Sequence, residues 1–226
     1  MATDREQRLH ALEAARLYFV CEGLPRGGDP GPLLDGALRG GADLVQLREK
    51  SPRRDDELVA LAGPFRRAAA NHGALFILND RPDLVAACEA DGVHVGQEDM
   101  PVAEARQLAG PEALVGLSTH SRQQVEAACA AVGEARPDQI SVGPVWATPT
   151  KEGRPGTGLE LIEYAAREAT IPWFAIGGID AGNVSSVVAA GAERIVVVRA
   201  IRDAKDPAAA AHRLRETLGA GAGVPR

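Results

Sequence analysis

About eight short apolar runs recur along the chain, each leading into a polar cluster and then into a helical stretch. The runs are Leu17–Cys21, Asp43–Leu47, Ala74–Leu78, Asp91–Gly96, Leu114–Leu117, Gln139–Val142, Pro172–Ile176 and Arg194–Val198. Several are continuously apolar, the mark of strands buried on both faces, as parallel strands under helices are. Between them lie helical stretches at about 33–38, 51–73, 101–108, 121–132, 183–190 and 207–218, with further helix after Pro82 and from Leu159. Ser51-Pro52 reads as N-cap and first residue of the second of these, and Ser121 as the cap of the helix to about Val132. Gly41-Ala42-Asp43-Leu44, Ala90-Asp91-Gly92-Val93 and Gly191-Ala192-Glu193-Arg194 resemble one another where helix gives way to strand, a weak internal repeat. Alternating βα units in this number close most naturally into a right-handed (β/α)8 barrel. An open doubly wound sheet is the other option, but no GxGxxG follows the first strand.

The expectation is therefore one α/β domain over residues 1–226: a TIM barrel with a core at about 17–218, a short N-terminal helix over about 4–16 and a frayed tail from about 219. A net charge of −6 gives no global attraction to nucleic acid or to a membrane surface. No apolar run approaches the roughly 20 residues of a spanning helix, and the charged start Asp4-Arg5-Glu6 lacks a signal-like apolar core. A cytoplasmic location is expected, with oligomeric state open and a homo-oligomer among the options. The cysteines Cys21, Cys88 and Cys129 lie far apart and read as reduced small hydrophobes.

In such a barrel functional side chains sit just after the strands. The polar residues here fall there: Gln46/Arg48/Lys50, Asn79/Asp80, Gln97/Asp99, Ser118/His120, Thr148/Thr150/Lys151, Gly177/Gly178 and Arg199. Gln46, Arg48 and Lys50 are spaced by two, so an extended backbone projects them from one face, where they could grip a di- or polyanion. Solvated charges at a strand exit are the alternative. Asp80 and Asp99 end neighbouring strands. They could hold Mg²⁺, which takes one or two carboxylates, waters and phosphate oxygens, or could simply shape the turns before Pro82 and Pro101. Gly177-Gly178 and the turn at Val198-Arg199 occupy the usual phosphate corner of this fold. His94, inside a strand, reads as a packed barrel histidine. The irregular stretch 143–158 is long enough to expect a functional loop, with a lid over bound substrate as its role.

The motifs Gln46-Leu47-Arg48-Glu49-Lys50, Asn79-Asp80, Asp91-Gly92-Val93-His94-Val95-Gly96-Gln97-Glu98-Asp99, Gly116-Leu117-Ser118-Thr119-His120, Gly143 to Lys151 and Ala175-Ile176-Gly177-Gly178-Ile179 together resemble thiamine-phosphate synthases, in order from about residue 17 to 201. The resemblance implies a (β/α)8 enzyme that joins hydroxymethylpyrimidine diphosphate to a thiazole phosphate and releases pyrophosphate. It implies that the pyrimidine diphosphate is held by Gln46, Leu47, Arg48, Glu49, Lys50, Asn79, Ser118 and Lys151, with Arg48, Ser118 and Lys151 carrying the chemistry. It places the thiazole phosphate against Thr148, Pro149, Thr150, Gly178, Val198 and Arg199, and Mg²⁺ on Asp80 and Asp99. Many members have serine where this chain has Arg199, which leaves a backbone N–H for phosphate but unsettles any side-chain role there. A thiazole tautomerase-like isomerase using His94 or His120, or a non-catalytic phosphate-binding barrel, would be the competing readings. Neither needs both aspartates and the full cationic set.

Overall fold

In the computed structural model, residues 4–51, 53–147 and 156–221 are described. Among them eight parallel strands pair in sequence order and close on themselves: β1 (Leu17–Cys21), β2 (Leu44–Leu47), β3 (Leu75–Asn79), β4 (Gly92–Val95), β5 (Leu114–Thr119), β6 (Gln139–Val142), β7 (Trp173–Ile176) and β8 (Ile195–Val197). The helices are α1 (Asp4–Ala14), α2 (Gly31–Arg39), α3 (Asp55–His72), α4 (Val85–Cys88), α5 (Val102–Ala109), α6 (Arg122–Ala130), α7 (Glu160–Glu168), α8 (Val184–Ala189), α9 (Arg199–Arg202) and α10 (Pro207–Gly221).

The two-residue period of a strand sorts each run into two cores. Phe19, Val45, Leu47, Phe76, Val93, Val115, Ile140 and Val197 face outward and pack under the helices with residues such as Leu34, Phe65, Ile162 and Leu214. Tyr18, Val20, Leu44, Leu75, Ile77, Leu114, Phe174 and Val196 face the barrel axis. Tyr18 and Phe174 meet edge to face, with centroids 5.6 Å apart. Leu12 of α1 joins this inner cluster, so the N-terminal helix plugs the end of the barrel where the strands begin.

At that end the aspartates of two of the resembling helix-to-strand joints, and Asp138 before β6, share one task. Asp43 Oδ2 accepts from Leu17 N at 2.9 Å, Asp91 Oδ2 from Phe76 N at 2.8 Å and Asp138 Oδ2 from Val115 N at 2.7 Å. Each aspartate precedes an even strand and satisfies an N–H at the start of the odd strand before it, a donor that burial would otherwise leave costly. Each also meets an arginine: Asp43 with Arg215, Asp91 with Arg8, and Asp138 with Arg5 and Arg106. Arg5 and Arg8 thereby pin α1 in place.

Two helix starts compare instructively with expectation. Ser121 caps α6 as expected, its Oγ accepting from Gln124 N at 3.3 Å. Ser51 does not cap α3. That helix begins at Asp55 after Arg54, whose N–H donates to Glu57 Oε2 at 3.0 Å. Three acidic residues in the first turn, Asp55, Asp56 and Glu57, favour the positive end of the helix dipole and set the start there. Pro52 lies outside the described residues. α6 stops at Ala130 because the Arg136 guanidinium reaches back to the carbonyls of Cys129 and Ala131, taking acceptors that another turn would have used.

Candidate active site

The ends of the strands open onto a cavity of about 110 Å³ lined from all eight of them. The residues facing it include Tyr18 and Val20 of β1, Gln46 and Arg48 at β2, Asn79 of β3, His94 of β4, Ser118 and His120 at β5, and Ser141 of β6. Ile176, Gly177, Gly178 and Asp180 follow from β7, and Val196 to Arg199 from β8.

Gln46 is the last inward residue of β2, and its Nε2 donates to Tyr18 Oη at 2.6 Å across β1–β2. That bond fixes the amide at the floor of the cavity. Burial of the Tyr18 ring pushes its phenol far above its usual range, so it stays a neutral partner. One step further on, Arg48 has left the strand, yet its N–H still donates to Cys21 O at 2.9 Å, which holds the backbone extended. Gln46 and Arg48 thus share the cavity face as their spacing requires. Burial lowers the Arg48 guanidinium from its ordinary range, while the charges of Asp80 and Glu22 hold it up.

Asp80 follows Asn79 with φ of 61°, a left-handed conformation that Asp tolerates better than most residues. Its N–H donates to His94 O at 2.9 Å, and the turn swings its carboxylate towards the exit of β4. There the carboxyls of Asp80 and Asp99 come within hydrogen-bond reach. Burial pushes the Asp80 carboxyl above its ordinary range, the Lys50 ammonium pulls it back, and Asp99 pushes it up again. Asp99 Oδ2 also accepts from Gly96 N at 2.7 Å, which orients it. Two adjoining carboxylates with an ammonium on one of them are hard oxygen donors placed where a cation is favoured, and they fit Mg²⁺. Among the described residues no group of three or more His, Cys, Asp or Glu could hold a metal, so water and phosphate oxygens would have to complete such a site.

Gly177 and Gly178 have φ of 109° and 69°. A Cβ on Gly177 would run into Pro144, so the turn needs glycine for both conformation and space. Asn183 Nδ2 donates to Gly178 O at 2.8 Å and holds the turn. The segment leaving β6 lies against it, with Val145 N donating to Ile176 O at 2.9 Å. His120 Nδ1 stands 2.5 Å from Gly143 O and ties the β5 exit to the same segment.

Of the residues expected from sequence, Gln46, Arg48, Asn79, Ser118, Gly178, Val198 and Arg199 meet in this one cavity. Lys50, Asp80 and Asp99 form the charged group beside it. Leu47 is fully buried under the helices and faces away from the cavity. Glu49 accepts from Ser51 N at 3.0 Å and so turns into its own loop. Thr148, Pro149, Thr150 and Lys151, with the expected lid, lie outside the described residues. Tyr18, Ser141, Ile176 and Asp180 line the cavity without having been anticipated. The alternation Gln139-Ile140-Ser141-Val142 was a legible sign for Ser141, since it puts two polar side chains on one strand face.

The family model for thiamine monophosphate synthase matches residues 17–201. The chain is 48% identical over 231 residues to the thiamine-phosphate synthase of Arthrobacter sp. (strain FB24), covering 93% of this chain and 97% of that one. It is 49% identical over 212 residues to that of Thermobifida fusca (strain YX), covering 93% and 95%. Among solved structures, thiamine phosphate pyrophosphorylase from Pyrococcus furiosus superposes with a TM-score of 0.82 at 29% identity, over 94% of this chain and 99% of that one. With the matched region running from β1 into α9 and enclosing every residue of the cavity, the chain belongs to the thiamine-monophosphate synthase family.

Proposed function

We propose that the barrel mouth carries out the family's reaction, thiamine-phosphate synthesis, as an alkyl transfer between two phosphorylated substrates. The enzyme is a transferase of thiamine biosynthesis. On this reading the pyrimidine ring lies over Gln46 and Ser118, and its diphosphate extends towards Arg48, Asn79 and the Asp80–Asp99 pair. The thiazole phosphate takes the corner made by Gly178, Val198 and Arg199. The bond from the exocyclic carbon to the diphosphate breaks, its electron pair leaves with pyrophosphate, and the thiazole nitrogen forms the new bond to that carbon. Asp80 and Asp99 would hold Mg²⁺, which when bound supplies positive charge to the diphosphate oxygens. Arg48 offers a forked, preorganised charge to the same oxygens at low local dielectric, the kind of stabilisation that usually dominates catalysis. The apolar wall of Val20, Ile176 and Val196 limits water around the carbon that becomes electron-poor. Nothing in this scheme requires a nucleophilic side chain.

The observation that carries this reading is the convergence of Gln46, Arg48, Asn79, Ser118, Gly178 and Arg199 on one cavity, with two carboxylates adjoining it. Incubation with the pyrimidine diphosphate, the thiazole phosphate and Mg²⁺ should release pyrophosphate and thiamine phosphate in equal amounts. Pyrophosphate without thiamine phosphate, or neither product, would reject it.

A further inference from the structure

Deep in the barrel, three adjacent strands bring four polar side chains to neighbouring register positions. His94 of β4 is paired with Gly116 of β5, and Gly116 with Gln139 of β6; two residues on, Ser118 is paired with Ser141. His94 Nε2 lies 3.0 Å from Ser118 Oγ and 3.4 Å from Ser141 Oγ. On the other side of the ring, Gln139 Nε2 lies 3.0 Å from His94 Nδ1. His94, Ser118, Gln139 and Ser141 are all buried. Gly116 has ordinary backbone angles, yet a Cβ there would fall on the Gln139 amide nitrogen and 2.5 Å from His94 Nδ1. Its missing side chain is what lets β4 and β6 reach each other across β5.

The polarity of the chain of bonds follows. Among the described residues, Gln139 Oε1 is buried without a partner. Turning the amide over would leave the NH₂ group there instead, and an orphaned buried donor is rarer than an under-satisfied carbonyl. Gln139 therefore donates to His94 Nδ1, the imidazole proton resides on Nε2, and Nε2–H donates to Ser118 Oγ. Ser118 Oγ accepts from His94, and Ser141 Oγ, 3.5 Å away, donates to it as well, so the Ser118 hydrogen is left for the cavity that the side chain borders.

We infer that Gln139 and His94 are positioning residues which lock the Ser118 hydroxyl as a hydrogen-bond donor into the cavity, towards an acceptor nitrogen of an aromatic ring such as a pyrimidine. The inference rests on the reading of this cavity as the pyrimidine site. It assigns a task to Gln139, which lies at the start of its strand, two residues deeper than Ser141. Neither His94 nor Gln139 takes a proton from substrate; each acts through Ser118.

The test combines histidine-selective ¹⁵N spectra with kinetics of single and double variants. In the unmodified enzyme the His94 signals, identified by their loss in His94→Gln, should show the Nε2–H tautomer; the Nδ1–H tautomer would overturn the inference whatever the enzyme's activity. Gln139→Leu should yield a mixture of tautomers and raise KM for the pyrimidine diphosphate about 10-fold, the scale of one lost hydrogen bond, while KM for the thiazole phosphate stays put. His94→Leu should raise the same KM to a similar extent. His94→Gln, whose amide can donate where Nε2–H did, should recover most of the loss. In a Ser118→Ala background, His94→Leu should cost nothing more. Equal effects of His94→Leu and His94→Gln, or losses that multiply with Ser118→Ala, would mean that the histidine only fills space. Thiamine phosphate production by the unmodified enzyme is read in the same assay, so failure of the functional reading is separable, and the tautomer then still decides the relay.

Discussion

Lys50 donates from its ammonium to Asp80 Oδ2, so a cation of the chain's own already rests on one of the two facing carboxylates. A metal bound there competes with that ion pair, and a diphosphate arriving with it gives the ammonium a new partner. Lys50→Met should therefore act in opposite directions. Mg²⁺ affinity of the free enzyme should rise about 2- to 5-fold, the scale of an exposed ion pair. KM for the pyrimidine diphosphate should rise about 10-fold, because a charge-assisted contact is gone. Calorimetric titration of Mg²⁺ beside substrate titrations checks both signs; weaker Mg²⁺ binding in the variant would remove Asp80 from the metal site.

Asp99→Asn keeps an oxygen able to accept from Gly96 N, so the loop after β4 should hold its shape. What the variant loses is charge. Turnover should drop by about 100-fold or more, comparable to deleting one preorganised electrostatic group, while the thermal midpoint moves little. Chelation of the unmodified enzyme should reproduce the loss, and added Mg²⁺ should reverse it. Full turnover of Asp99→Asn in chelator would show that the aspartate merely shapes its turn.

At the opposite end, Asp138 is 8% exposed and meets Arg5, Arg106 and Val115 N. Asp138→Ala would take the nearer carboxylate from the Arg106 guanidinium, also 8% exposed, leaving it Glu134 at 3.7 Å and the carbonyls of Glu134 and Arg136, and would leave Val115 N without its acceptor. A loss of about 3–5 kcal/mol in unfolding free energy is expected, typical of breaking one side of a buried pair. Turnover per folded molecule should not change. Urea denaturation and an assay at low temperature separate the two effects. A large kcat defect in the folded variant would contradict the separation of the two barrel ends.

Burial pushes the Cys21 thiol far up and the Cys88 thiol up to about 11. Neither should form thiolate near neutral pH. A maleimide or iodoacetamide pulse on native protein should modify half-buried Cys129 first, with Cys21 and Cys88 reacting only in denaturant. Peptide mass mapping reads the order directly, and rapid native labelling of Cys21 would show that β1 is less protected than its packing implies.

The barrel and most of its mouth were readable in the chain because both depend on short-range rules. A parallel strand between helices must be apolar on both faces, so its first polar inward residue marks where the cavity begins. Gln46, Asn79 and Ser118 announce themselves in that way. Tyr18 and Ile176 do not, since an inward residue near the floor looks like any other core residue in sequence. The two-residue period divides the Gln46–Lys50 motif as the spacing requires, Gln46 and Arg48 to the cavity; Leu47, which the family resemblance alone assigns to substrate, goes under the helices. His94 was read as a packed histidine, and it is packed. Its contact with Gln139 depends on Gly116 in the intervening strand, a three-strand coincidence that no linear pattern encodes. The start of α3 was misplaced because Ser51-Pro52 is a good local signal, outcompeted by the acidic turn Asp55–Glu57.

The aspartates at the helix-to-strand joints make the barrel a set of stitched pairs. Asp43 ties β2 to β1, Asp91 ties β4 to β3, and Asp138 ties β6 to β5. The matching position before β8 is Glu193, exposed and alongside Arg194. Amides at strand starts ordinarily exchange early, as chain ends do. Here Leu17, Phe76 and Val115 should be among the slow ones in native-state hydrogen exchange, each held by a carboxylate. The start of β7 should give up its protons sooner than they do, making the β7–β8 edge the seam where the cylinder first opens.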